Sequence, residues 1–161
     1  QKLNIRDAEL IMNLQGDEPL MNVEDIRNLY EQMNKTKSKI GTLASKILDK
    51  KIYEKENVVK VITKEKLSNE KFPEALNFTR KQKNLNENTY HHLGIYCYQL
   101  ETLRNFVSLE QSQNEIKNKL EQLRALENNI NINVSFAKES PIGVDTEEDL
   151  VAIKKLMEYK S

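Results

Sequence analysis

Two acidic stretches offer side chains able to do chemistry. QGDEP, residues 15–19, carries Asp17 and Glu18, and GVDTEEDL, residues 143–150, carries Asp145. Each follows an apolar run that reads as a strand: Leu10-Ile11-Met12-Asn13-Leu14 before the first, INVSFAKE before the second. Gly16 and Pro19 cannot continue a strand, and two carboxylates resist burial. The first stretch is therefore a turn at a strand's carboxyl end, where open α/β sheets bind ligands. Carboxylates on two such turns can converge at one sheet edge and hold Mg2+, which takes one or two carboxylates and leaves positions for water and phosphate. The plain alternatives are a solvated turn for Asp17-Glu18 and a helix cap for Asp145.

Other candidates carry less weight alone. His91 and His92 are neighbours on a strand, where successive side chains point to opposite faces, so both cannot enter one site. Glu121 and Gln122 of KLEQLR fall on the polar side of a helix and read, by themselves, as a solvated face. Cys97 lies mid-strand and reads as core, because free cysteine is usually buried. No Walker A loop, GxGxxG or CxxC occurs.

The elements that must position these groups follow from periodicity. LIMNL wants burial on both faces. Asn22 caps a helix over VEDIRNLYEQMNK, with Val23, Ile26, Leu29, Tyr30 and Met33 on one face. KIGTLASKI alternates as a strand, ENVVKVITKE is a second β-rich run, and EALNFTR, residues 74–80, alternates with Leu76 and Phe78 inward. YHHLGIYCYQL, residues 90–100, is rich in aromatic and β-branched types and is the clearest strand. Helical spacing returns with Leu100, Leu103, Phe106 and Val107, and continues through Ile116, Leu120, Leu123 and Leu126. A last helix over TEEDLVAIKKLMEY has Thr146 and Asp149 in capping-box positions and a stripe of Leu150, Ile153 and Leu156. Strands interleaved with helices predict an α/β fold with a largely parallel sheet.

Composition narrows the function classes. The 161 residues suffice for one domain or part of a larger one. Lys+Arg and Asp+Glu are both 25, so nothing suggests nucleic-acid binding. One cysteine excludes an internal disulfide and fits a reducing compartment. No apolar run approaches the roughly 18 residues of a membrane span, and no signal peptide is visible. A cytoplasmic protein without a membrane partner is expected. The start at Gln1, with little before the first strand, reads as a fragment or processed product.

Taken together, NLQGDEP, NVVKV, ALNFTR, HLGIYCY, KLEQLR and GVDTEEDL, in this order, resemble the 3-deoxy-manno-octulosonate cytidylyltransferases, or CMP-Kdo synthetases, of Gram-negative bacteria. QGDEP separates this group from the acylneuraminate cytidylyltransferases. The resemblance implies a Rossmann-like α/β fold of the nucleotide-diphospho-sugar transferase type, with its amino-terminal strands missing. It implies transfer of CMP from CTP to the anomeric hydroxyl of Kdo, with release of pyrophosphate, for lipopolysaccharide synthesis. The cofactor implied is Mg2+ and the assembly a homodimer. On matching positions it makes Asp17 and Asp145 the catalytic, metal-binding aspartates. Arg80 matches an arginine suited to gripping the sugar acid's carboxylate bidentately. His92, Tyr96, Glu121 and Gln122 match positions that line the Kdo pocket, with Gln15 beside it as a further substrate-binding residue, which makes His92 the inward histidine and lifts LEQLR out of the solvated class.

The chain also departs from that pattern. His91 stands where the family has Arg, Asn77 where it has Tyr, and Lys81-Gln82-Lys83 where an Ile-Pro follows Arg80. SQNEIKNKLEQLR, with Asn118 among its changes, lacks the Pro, Leu and second Glu of SPLExxExLEQLR. These changes imply a remodelled dimer or sugar rim. The family's opening loop, R-x-x-S-x-R-L-P-G-K, which cradles the CTP triphosphate, has no counterpart here. Residues 1–161 are therefore read as a partial cytidylyltransferase domain that makes no CMP-Kdo alone. The competing reading is a truncated, inactive homologue that serves as a binding or interaction module.

Overall fold

The computed structural model describes residues 9–16, 19–48, 54–81, 86–139 and 147–158. Asp17, Asp145 and Thr146, with the Asp149 side chain, lie outside them, so the cation site and the last helix's capping box fall outside the described residues. The elements are β1 (Leu10–Asn13), α1 (Val23–Thr36), β2 (Ile40–Ser45), β3 (Lys60–Thr63), β4 (Ala75–Thr79), β5 (Thr89–Gln99), α2 (Leu100–Ser108), α3 (Gln113–Asn118), α4 (Gln122–Glu127), β6 (Ile132–Ala137) and α5 (Glu147–Glu158). No helix among the described residues is long and apolar enough to cross a membrane.

The strands form one sheet in the order β4-β3-β5-β2-β6, with β1 also on β5. β5 organises it. One of its edges pairs with β2; the other is divided between β3, at Thr89–His91, and β1, at Tyr96–Gln99. The α/β class with flanking helices holds, but the strand directions correct the expectation of a largely parallel sheet. Of the described pairs, β2 and β6 alone run parallel, while β5 is antiparallel to β1, β2 and β3. The physical reason lies in residues 46–88, which contain the antiparallel pair β3–β4 instead of a single crossover helix between parallel strands.

Helices cover both faces. α1 starts on Asn22, whose Oδ1 accepts the Glu24 N–H at 2.9 Å, and stops at Lys37 in the left-handed region, φ 56°. Its Leu29 and Met33 pack with Leu43, Leu93, Ile95, Cys97 and Ala137. The approach is so close that a Cβ on Gly41 would stand 2.6 Å from Met33 Sδ and 2.8 Å from Leu29 Cδ1. Val23 and Tyr30, expected on the buried stripe, are exposed, because the contact face runs along Asp25, Leu29 and Met33 with Ile26 half-buried. The opposite sheet face packs Ile40, Val61, Phe78, Tyr90 and Tyr96 against Phe106, Leu120, Leu123 and Ala125.

Three further expectations change. β1 is half-buried instead of enclosed on both faces. Leu76 is exposed while Ala75 and Phe78 are buried, because β4 carries one extra residue: Ile62 faces Asn77, and Thr63 faces Ala75. A bulge of this kind breaks the period of two. The helix read through Ile116, Leu120, Leu123 and Leu126 is broken in two by Lys119, in the left-handed region at φ 52°, and Ile116 is exposed.

Candidate active site

The site is built on the face of β5 that carries His92, Gly94, Tyr96 and Tyr98. Between β2 and β5 the register jumps: Thr42 faces Tyr96, and Leu43 faces Leu93. β5 thus holds two extra residues, Gly94 and Ile95. A two-residue excess preserves the alternation, so His92 and Tyr96 stay on one face; one extra residue would have flipped them apart. On the other edge, this stretch is where β3 has ended and β1 has not begun. The Gln15 side chain lies over Gly94, and a Cβ there would stand 2.6 Å from Gln15 Oε1. Glycine is needed for that approach.

The rings form a row. Phe78 meets His92 edge-on at 5.0 Å, His92 is 5.4 Å from Tyr96, Tyr96 stacks on Tyr98 at 5.7 Å, and Tyr98 on Phe106 at 6.3 Å. His92 Nε2 lies 2.9 Å from the Oγ1 of buried Thr42. Burial, then the neighbouring His91, pushes the His92 pKa down to about 3. Burial, then the charge of Lys60, pushes His91 down to about 4. Both imidazoles are neutral at pH 7, and only His92 joins the row. Burial, then Tyr98 and Glu121, raises the Tyr96 phenol well above its usual value; burial and Glu121 raise Tyr98 likewise. Both are therefore neutral hydroxyls within the field of the Glu121 carboxylate.

Glu121 and Gln122 open α4, and what aims them is the turn at Lys119. Arg80, at the end of β4, donates from Nε to Asn118 O and from Nη2 to Lys119 O, both at 3.3 Å. Its Nη1 reaches Glu56 O at 3.4 Å and Asn57 O at 3.2 Å. The backbone of Arg80 is held in turn by buried Lys60, whose Nζ donates at 2.8 Å to the carbonyls of both Arg80 and Lys55. Burial, then the charge of Arg80, lowers the Lys60 pKa. Behind α4, Arg124 is paired with Glu115 in a bidentate bond, Nε to Oε2 at 2.7 Å and Nη2 to Oε1 at 2.6 Å, and its guanidinium lies 4.8 Å from the Phe106 ring centre. Arg124 Nη2 also reaches Glu121 Oε1 at 3.4 Å.

Of the residues predicted for the site, the structure therefore gathers Gln15, His92, Tyr96 and Glu121, with Gln122 adjoining and Arg80 at the turn that leads into them. His92, bonded to Thr42, and the neutral Tyr96 and Tyr98 hydroxyls thus share one sheet face with the Glu121 carboxylate. Among the described residues, the buried side-chain polar atoms without a hydrogen-bond partner are Gln32 Oε1 and Ser45 Oγ, neither of them in this group. Among the described residues no group of three or more His, Cys, Asp or Glu could hold a metal ion. Cys97 faces the α1 core, with its thiol pushed up to about 11 by burial, and is inert.

Reasoning from sequence missed Thr42, Lys60, Tyr98 and Arg124. Tyr98 was within reach, since it is two residues beyond Tyr96 on the same strand face. Thr42 is a polar residue at an inward position of an alternating strand, which is itself a signal.

The sequence profile of the cytidylyltransferase family matches residues 1–132. The 3-deoxy-manno-octulosonate cytidylyltransferase of Bartonella henselae is 39% identical over 153 residues, 94% of this chain and 62% of that protein. Its counterpart from Thermodesulfovibrio yellowstonii is 38% identical over 165 residues, 96% of this chain and 62% of that protein. A solved structure of CMP:2-keto-3-deoxy-manno-octonic acid synthetase complexed with CTP superposes with a TM-score of 0.83 at 30% identity, over 96% of this chain and 64% of that one. This chain thus spans less than two thirds of the length of these relatives. With a profile match over most of its length and a shared sheet architecture, the chain belongs to the cytidylyltransferase family.

Proposed function

We propose that the complete protein transfers CMP from CTP to 3-deoxy-D-manno-octulosonate, releasing pyrophosphate, and that this chain supplies the sugar-acid pocket. The observation that carries the reading is the placing of Gln15, His92, Tyr96 and Glu121 together on one face of β5, in a chain 39% identical to a relative that bears that name. A sugar acid offers hydroxyls and a carboxylate. The neutral Tyr96 phenol donates, the Glu121 carboxylate accepts, and the Gln122 amide does both. Arg80 takes the carboxylate. Its four carbonyl bonds run from 3.2 to 3.4 Å. A carboxylate bonds a guanidinium at about 2.7–2.9 Å and competes well for such a fork. Held this way, the anomeric hydroxyl attacks the α-phosphorus of CTP in line, a reaction in which positioning supplies much of the rate.

Mg2+ is assigned to Asp17 and Asp145. In support, β1 and β2 are both antiparallel to β5, and β6 is parallel to β2, so β1 and β6 run in one direction. The strands that precede the two aspartates in sequence therefore end on the same side of the sheet. When bound, Mg2+ neutralises charge on the phosphate oxygens. A cytoplasmic homodimer that serves lipopolysaccharide synthesis completes the reading.

The test is pyrophosphate release by the complete protein, given CTP with Kdo or with a neutral sugar. Release that depends on Kdo is expected, and its absence in a folded protein favours the binding-module reading. Asp17→Asn or Asp145→Asn should cut turnover sharply. Arg80→Ala should weaken Kdo binding, but it also loosens the Lys119 turn, so thermal melting is run beside it. Arg80→Lys keeps the charge and loses the fork. Unchanged Kdo affinity in both variants makes Arg80 structural alone.

A further inference from the structure

We propose that Thr42 is a positioning residue that locks His92 as its Nε2–H tautomer, so that the imidazole meets the substrate only as a hydrogen-bond acceptor, through Nδ1. The Thr42 hydroxyl has one proton and three polar neighbours: Ile95 O at 2.7 Å, His92 Nε2 at 2.9 Å and Leu93 O at 3.3 Å. Two of these are carbonyl oxygens, which only accept. Were the proton aimed at His92, both carbonyl contacts, the shortest included, would set lone pair against lone pair. The hydroxyl therefore donates to Ile95 O and accepts from His92, which fixes the ring proton on Nε2. A neutral imidazole protonated there carries a lone pair on Nδ1.

This arrangement depends on the irregularity in β5. Both carbonyls flank the two extra residues, Gly94 and Ile95, where β5 departs from simple pairing with Thr42 and Leu43. The same irregularity brings Gly94 under Gln15. The ring cannot pivot to exchange its nitrogens freely, because Phe78 and Tyr96 hold it on two sides. Burial also keeps it from becoming a cation that would donate from Nδ1.

The consequence concerns what the pocket admits at this point. An acceptor requires a donor, and at neutral pH a carboxylate has none. His92 therefore reads a hydroxyl of the sugar acid and turns away its carboxylate, which is left to the guanidinium. This step rests on the proposed sugar-acid pocket, whereas the tautomer does not.

The test is imidazole 15N NMR of the complete protein at pH 7, with the His92 signals assigned by their loss in His92→Gln. A protonated Nε2 and a bare Nδ1 are expected. Thr42→Val should lose the tautomer preference and raise KM for the sugar acid about tenfold, the worth of one hydrogen bond. KM for CTP should not change, and Thr42→Ser should restore both readouts. An Nδ1–H tautomer or an imidazolium in the unaltered protein overturns the proposal, even if Thr42→Val fails to fold. So does a Thr42→Val protein with an unchanged spectrum. If the spectra behave as stated but Kdo is not a substrate, the proposed function fails and the tautomer assignment stands.

Discussion

His92, Tyr96 and Tyr98 alternate along β5 with Leu93, Ile95 and Cys97, and the two sets live in unlike surroundings. The second set is sealed under α1, apolar throughout and so tightly packed that Gly41 has no room for a methyl group. The first set is also largely buried, yet its neighbours are polar and charged: Thr42 against His92, and Glu121, whose charge acts on both tyrosines. One face of β5 is an apolar seam under α1, and the other carries the residues proposed to bind the sugar acid.

Perturbing each face separately tests this division. The largest effect is expected from Glu115→Gln, which leaves the buried Arg124 guanidinium with only the longer contact to the exposed Glu121 carboxylate. Breaking such a pair costs about 3–5 kcal/mol, read by urea unfolding. The bond from Arg124 holds the Glu115 pKa below 4.5 in the folded protein. Its stabilisation is therefore complete above that value and is lost as pH falls through the lower folded value, and the variant should lack this acid-dependent step. Leu93→Ala, on the sealed face, should cost about 2–5 kcal/mol while sparing KM for both substrates in the folded fraction. A large change in KM would mean that the faces are coupled.

The histidines give a third test, of intermediate size. Folding lowers His91 to about 4 and His92 to about 3 from an ordinary 6.5. Between those values the unfolded chain binds more protons, so stability should fall as pH drops from 6.5 toward 3 and be indifferent to these groups above 6.5. His92→Gln should flatten the slope in urea melts recorded across that range. The smallest and sharpest contrast is between two glycines. Gly41→Ala meets the body of Met33 and should cost about 1–3 kcal/mol. Gly94→Ala meets only the end of an exposed glutamine, so stability should move by no more than about 0.5 kcal/mol while KM for the sugar acid rises. Equal stability losses at both positions would erase the distinction between the faces.

What could be read from residues alone follows the same divide. β5 and its alternation were legible, including the opposite senses of His91 and His92 and the buried, inert Cys97, because local pattern dictates them. The resemblance singled out Gln15, His92, Tyr96 and Glu121, which come together on one face of β5. Hidden from the sequence were the bulge at Leu76, the doubled irregularity at Gly94-Ile95 and the break at Lys119. No local preference calls for them. Lys119 is a lysine in a left-handed turn, held there by a guanidinium 39 residues away in sequence. The KLEQLR segment reads as a continuous polar helix face until that distant contact breaks it and turns Glu121 toward the tyrosines.

The divided edge of β5 also determines when the sheet can form. Leu10 pairs with Gln99, Ile40 with Tyr98 and Lys60 with His91, so three strands made early wait for one made late. Among the described strands, only β3 and β4 can find each other before β5 emerges, and β2 gains its second neighbour there with β6. Such distant pairings slow folding, because loop closure must be met before contacts reward it. A nascent chain of this family therefore carries unpaired, partly apolar strands over most of its length, and that interval is when it is most exposed to misassociation with other chains.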